Sequence, residues 1–235
     1  MFVFRSILLL LTLLAGTVAA ESNPPNLGVY SALRLASDYR FNGASNSDGK
    51  PALQGYVHVT HSSGWYSGAW ASSVDFNDPE KTRGELDLYA GRSFLRDAME
   101  YRAEAMHLSF DEHVPGPTYD FWQGKVVARR YINTSWIEAS LTHTPRGPYA
   151  GGAQSQVRLE AQYGFSQTLR ATGLLGYGLN RERPDRFYGA IGLELDWRKL
   201  TFGAQWLGTD QSRDECFGEN WCEPGFVGSV TLWSW

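Results

Sequence analysis

A base and a hydroxyl two residues apart, His107 and Ser109, would share one face of a β-strand, the minimum arrangement for a histidine to draw a proton from a serine nucleophile. Their segment parses poorly. Arg102 and Glu104 fall on the parity of Met106, Leu108 and Phe110, so a bulge or a displaced boundary is expected within residues 101–110. The pair reads more simply as polar wall. His58 and His61 are three apart, so a strand points them to opposite faces and they cannot share a metal. His113 and His143 fall in loops, where a lone histidine is solvated. Asn46-Ser47-Asp48-Gly49 lacks the spaced acids and distal glutamate of a calcium loop and reads as a turn. Cys216 and Cys222 are the only cysteines, with no histidine beside them to complete four zinc ligands; after export a local disulfide is expected. No metal, cofactor or catalytic residue is therefore expected. A lipid-modifying enzyme using His107 and Ser109 is kept as an alternative.

Charge carries the stronger pattern. Arg34, Asp38, Arg40, Gln54, His58, Glu85, Asp87, Lys125, Glu138, Arg158, Glu160, Arg170, Glu194 and Asp196 each sit on the polar parity of a segment whose other parity is apolar. Residues 27–41 show this most plainly: Leu27, Val29, Leu33, Leu35, Tyr39 and Phe41 share one parity, Tyr30, Arg34, Asp38 and Arg40 the other. Period two marks a strand with two unlike faces. A turn-rich interval from Asn42-Gly43 through Asp48-Gly49 to Pro51 reverses the chain, and Leu53, Gly55, Val57 and Val59 then alternate with Gln54, Tyr56, His58 and Thr60. In the next segment Tyr66, Trp70, Val74 and Phe76 take the apolar parity. Arg92 falls on the apolar parity of its own segment, near an end where a long side chain can snorkel.

Similar segments continue to the end of the chain, and the connections between them alternate long and short. Every long one follows an odd-numbered strand, the layout of a barrel with short turns on one side of a membrane and longer loops on the other. The expected fold is all-β, a transmembrane antiparallel up-and-down β-barrel of about 12 strands. Tyr39, Phe41, Phe76 and Trp206 at one set of strand ends, and Trp197, Trp233 and Trp235 at the other, are expected to form membrane-interface girdles. A soluble sandwich also alternates. The loop asymmetry, the girdles and the leader described next favour the barrel. Since Arg or Lys at the lipid midplane costs ~2–4 kcal/mol, the charged parity is expected to line the lumen.

Residues 1–20 hold Arg5, an apolar run over 7–14 and the small residues Val18-Ala19-Ala20. They read as a signal peptide cut after Ala20, leaving residues 21–235 as one outer-membrane barrel. The apolar run falls short of the ~20 residues a spanning helix needs. A formal charge of −4 gives no reason to expect nucleic acid as a partner. The 25 glycines and 14% aromatic content suit a twisted sheet with tight turns.

Ala36-Ser37-Asp38-Tyr39-Arg40-Phe41-Asn42-Gly43, then Ser45, then Ser47-Asp48-Gly49-Lys50-Pro51-Ala52-Leu53-Gln54-Gly55, resembles the opening of the TorF-like family of proteobacterial outer-membrane porins. Gly68-Ala69-Trp70, Asp75-Phe76, the run from Glu85 to Gly91 and the late cysteine pair extend the resemblance over most of the chain. Asn42 and Ala44 depart from the Arg and Ile usual there, and the last residue is Trp instead of the commoner Phe. The resemblance implies an outer-membrane barrel of a Gram-negative bacterium. Its expected surroundings are outer-membrane lipid and lipopolysaccharide, with the assembly machinery meeting Trp235. Its expected work is passive diffusion of small polar solutes through a narrow water-filled channel. A closed structural barrel with interior salt bridges is the alternative.

Overall fold

The computed structural model describes residues 26–111, 119–148, 151–216 and 218–234. The expected leader, His113 and Trp235 lie outside the described residues. Alternating side chains produce strands throughout: β1 (Leu27–Ala36), β2 (Arg40–Phe41), β3 (Ala44–Ser45), β4 (Ala52–His61), β5 (Trp65–Ser73), β6 (Gly84–Arg96) and β7 (Met99–Phe110). Then follow β8 (Phe121–Ile132), β9 (Ser135–Thr144), β10 (Gln154–Gly164), β11 (Leu169–Asn180), β12 (Arg186–Trp197), β13 (Leu200–Thr209) and β14 (Gly225–Trp233). The β2–β3 pair is a small separate hairpin; the other strands close into one antiparallel barrel, with β14 returning to β1. The expected architecture is thus the observed one.

Tight turns follow β4, β6, β8, β10 and β12, and the longer loops gather at the opposite end. Between β6 and β7 the turn residues Asp97 and Ala98 both have positive φ, 51° and 61°, whose twist matches the strands they join. Closure is uneven. β1 pairs with β4 over its whole length, Leu27↔His61 to Ala36↔Ala52, but with β14 only from Ala32↔Trp233 to Ala36↔Ser229.

Outward faces carry large exposed apolar residues on every side of the barrel, among them Leu33, Leu193, Phe202 and Ile191, which is 68% exposed. A band of that extent needs lipid against it. Inward faces are polar, so the molecule has little apolar core; two small buried clusters, one around Ala36 and Val227, one around Tyr39, Ala52 and Val74, sit toward the long-loop end.

Three expectations require correction. The strand at residues 27–41 stops at Ala36, because the Asp38 carboxylate takes up local donors and turns the chain inward. In β5 the aromatic parity faces the lumen: Trp70 stands between Tyr56 and Asp87 in register, while Ala69 stands beside outward Val57 and Leu88. No bulge interrupts β7, whose ladder with β6 runs unbroken from Glu85↔Phe110 to Arg96↔Met99. Arg102, Glu104, Met106 and Leu108 therefore share the inward face, and His107 and Ser109 point outward.

The barrel lumen as candidate functional site

Strand alternation places Arg34, Gln54, His58, Glu85, Asp87, Lys125, Glu138, Arg158, Glu160, Arg170, Glu194 and Asp196 on inward faces, where the ladders bring them into groups. Glu138, 3% exposed, is held between Arg102 Nη2 at 2.6 Å and Arg129 Nη2 at 2.7 Å. The Arg129 guanidinium also lies 4.4 Å from the centre of the Trp136 ring. Two strands further round the wall, Arg170 Nε donates to Glu194 Oε2 at 2.7 Å and its other nitrogens reach Asp196. Thr201 Oγ1 donates to Asp196 at 2.6 Å and accepts the Trp233 indole N–H at 2.9 Å, extending that group to β14. Arg158 lies 2.8 Å from Glu160. These pairs explain how ionic side chains tolerate an enclosed position.

Aromatic rings fill a second sector. His58 stacks between Tyr66 and Tyr89, ring centres 5.3 and 5.8 Å away, with its Nδ1 3.0 Å from the Tyr89 hydroxyl. Between the aromatic and ionic sectors lies a cavity of ≈ 490 Å³ walled by Arg34, Gln54, Tyr56, Trp70, Gln162, Arg170, Glu194, Thr201 and Trp233.

At the long-loop end, residues 37–51 fold into the mouth. Asp38 accepts from Arg40 Nε at 2.5 Å, Ser45 Oγ at 2.6 Å and Ser47 Oγ at 2.9 Å. Asp38 and Arg40 therefore knit a loop and do not line the strand wall as expected. Arg40 Nη1 also donates to the Glu223 carbonyl at 2.6 Å, and Lys50 reaches Asp75 at 2.9 Å and Asp48 at 3.0 Å. Burial works to raise the Asp75 carboxyl, but Lys50, the Asn77 N–H and Arg83 outweigh it and hold the group below its ordinary value. Hydrogen bonds to Asp75 and Asp48 raise Lys50. Cys216 and Cys222 form the expected disulfide in the loop before β14, Cα atoms 6.1 Å apart.

Four of the expected girdle aromatics turn inward. Tyr39 packs on Trp70 at 5.3 Å, Phe41 joins the same cluster, and Phe76 packs on Phe110 and Tyr119 at 5.7 and 4.9 Å. Trp233 stands beside Ala32 on the lumen side and meets Tyr56 edge-on. Trp197 and Trp206 face outward. Strand parity missed Arg102, Glu104 and Arg186, and it assigned Trp70 to the wrong face; the strict alternation of residues 100–108 was the available signal for the first two. His107 packs outward against Trp122, ring centres 4.6 Å apart and tilted by 46°, and the Ser109 hydroxyl donates to the Leu86 carbonyl at 2.8 Å, so neither is arranged for nucleophilic chemistry. Among the described residues no three His, Cys, Asp or Glu side chains are grouped to hold a metal ion.

A family model described as "Bacterial protein of unknown function (Gcw_chp)" matches residues 19–227. No curated protein matches the sequence. Among solved structures, the KdgM porin superposes with a TM-score of 0.61 at 7% identity, covering 88% of this chain and 99% of that one. The same figures hold for a structure described as the KdgM porin in complex with disordered oligogalacturonate. The NanC porin gives a TM-score of 0.58 at 9% identity, covering 86% of this chain and 98% of that one. Identities this low speak for the fold alone.

Proposed function

We propose, for a chain that belongs to the Gcw_chp family of bacterial proteins, that it is an outer-membrane porin: a narrow, water-filled channel for passive diffusion of small hydrophilic solutes. The observation that carries the reading is the ≈ 490 Å³ cavity with charged and amide-bearing walls inside the barrel. A lumen built only for stability would pack such a volume with side chains. The barrel shared with two proteins named as porins, and the resemblance of residues 36–55 to TorF-like porins, support the same reading.

Selection would act by size and charge together. The two ion-pair groups, around Glu138 and around Arg170, narrow the short-turn half. In the other half the signs separate: Glu85 and Asp87 stand on β6, and Arg186 stands on β12, six strands away in a ring of twelve. Such a transverse field orients dipolar solutes in transit. The apolar outer face would meet outer-membrane lipid and lipopolysaccharide of a Gram-negative bacterium, and Trp235 would serve recognition by the assembly machinery. No step of this reading uses catalysis.

The closed structural barrel stays as a second reading because residues 37–51 fold into the mouth. Planar-bilayer recording of refolded protein separates the two. Discrete open levels are expected; silence from protein that keeps heat-modifiable mobility would establish the closed barrel.

A further inference from the structure

We infer that the outer face of β6 to β8, at the short-turn end, binds the phosphate headgroups of anionic phospholipids through Arg92, Arg96 and Arg130; the inference rests on the barrel lying in a bilayer, as proposed above. Strand parity and the ladders fix which residues point away from the lumen. Among the described residues, those outward positions include no Asp or Glu in any barrel strand. Histidines apart, the charged residues there are Arg92 and Arg96 on β6 and Arg130 on β8. All are cations, and all fall within three adjacent strands. A charge facing hydrocarbon is costly, so three of one sign in one sector call for a counter-charge.

Register arranges the patch in three rows. The first joins Trp65, Arg92 and Ala103; the second joins Phe94, Tyr101 and Ala128; the third joins Arg96, Met99 and Arg130. The Arg92 guanidinium lies 5.5 Å from the centre of the Trp65 ring, and Phe94 stacks on Tyr101 with centres 5.0 Å apart. Trp65 is the first residue of β5, directly after its turn, so Arg92 beside it stands near the rim although Arg96 lies between it and its own turn. Exposed Trp and Tyr rings mark the boundary between hydrocarbon and headgroups, which sets the first two rows at that depth and the third closer to water.

The protein itself supplies these arginines with little counter-charge. Among the described residues neither Arg92 nor Arg130 makes an ion pair. Arg96 has Asp97 at 3.5 Å, but both side chains are open to solvent, 83% and 90% exposed, and such a pair is worth little. Glu100 on β7 is occupied by Arg102 and by the Tyr131 hydroxyl, which donates to it.

An anionic phospholipid matches the patch in both of its parts. The arginines sit among Phe94, Tyr101 and Ile132, exposed apolar residues that acyl chains would cover. A guanidinium takes phosphate oxygens through paired N–H donors, and a long side chain at this depth can turn toward them. Two strand spacings separate the Arg96 and Arg130 Cα atoms by about 10 Å, and Arg92 stands about 13 Å along β6 from Arg96. Each arginine can hold its own headgroup, so the patch needs no convergence on a single phosphate.

Quenching of tryptophan fluorescence by dibrominated lipids tests the inference on protein refolded into vesicles. The vesicles hold phosphatidylcholine and phosphatidylglycerol in equal parts, with bromine on one lipid at a time, and the Trp65 share is the part lost in Trp65→Phe. Phosphatidylglycerol should reach Trp65 with a relative association constant at least about fivefold that of phosphatidylcholine, the worth of one arginine beside an anionic headgroup. Arg92→Gln with Arg130→Gln should bring the ratio toward one, whereas Arg92→Lys with Arg130→Lys keeps both charges and should keep most of the preference. A ratio of one in the unsubstituted protein overturns the inference and leaves the patch to an acidic protein; a preference that survives the glutamine pair overturns it as well. The lipid comparison needs no arginine variant, so a variant that fails to fold does not remove the test. Quenching of Trp65 by neither lipid would refute the bilayer placement itself, while equal quenching beside discrete conductance levels would keep the channel and discard the headgroup site.

Discussion

The indole N–H of Trp221 donates to Asp48 Oδ1 at 3.1 Å, joining loops 173 residues apart in sequence. Trp221 precedes Cys222, so the bond fastens the disulfide loop onto the folded segment 37–51. Arg40 adds its contact to the Glu223 carbonyl. Gly43, at φ +87°, lies where a Cβ would come within 2.6 Å of the Gly208 carbonyl oxygen, so only glycine permits the approach. The two loops act as one cap over the mouth. Trp221→Phe keeps the ring and removes the bond, which should loosen the cap by about 1 kcal/mol. Single-channel recordings should then show larger or noisier open levels; unchanged traces would place the cap outside the conduction path.

Acid should release the same cap from its other side. Asp75 lies below its ordinary value of 3.8, so its tie to Lys50 and Arg83 is complete above that value and is lost as pH falls through the lower folded value. Lys50 lies above its ordinary 10.5, so its share is complete below that value and is lost as pH rises past the folded one. The tie is therefore intact at neutral pH and opens only outside these limits. The hydrogen-exchange protection of residues 37–51, corrected for the intrinsic pH dependence of amide exchange, should be flat across neutrality and fall in acid below the carboxylate range. A loss of protection already near pH 6 would contradict the assignment.

Ile191, on the outer face of β12, tests what surrounds the barrel. Ile191→Arg should cost ~2–4 kcal/mol in the urea-induced unfolding of protein reconstituted in vesicles, as an arginine facing the lipid midplane does. A loss within about 0.5 kcal/mol, the effect of an ordinary water-facing substitution, would mean that this face does not meet hydrocarbon.

Glu138 neutralises two guanidinium groups at once. Glu138→Gln should destabilise the barrel by ~3–5 kcal/mol, since both Arg102 and Arg129 lose their shared partner. Reversal potentials across a salt gradient should also move toward anion preference. A variant with unaltered selectivity would show that the Glu138 group stands away from the ion path.

The barrel was legible because period two survives in nearly every strand and because turn residues such as Asn42-Gly43 and Asp48-Gly49 mark one reversal unambiguously. Most charged wall residues followed from the same parity. What stayed hidden was hidden for identifiable reasons. Parity says that two faces differ but not which is inward, and in β5 the bulky rings Tyr66 and Trp70 face the lumen while Ala69 and Ala71 face out. Tyr39 and Phe41 continue the rhythm of β1 past its last ladder pair, so nothing in their spacing announces the inward bend made by Asp38 and its serine partners. In β7 the mixture of Arg102 and Glu104 with Met106 and Leu108 imitates a broken strand, although all four occupy one lumen face.

The brevity of the contact between β1 and β14 has a kinetic consequence. Every other neighbouring pair is a local hairpin that can zip from its own turn, whereas this pair must find a partner almost a full chain length away and gains fewer ladder bonds when it does. The cylinder should therefore be sewn shut last at this line and come unstitched there first, offering incoming lipid, or a second protein's strand, its one sideways door.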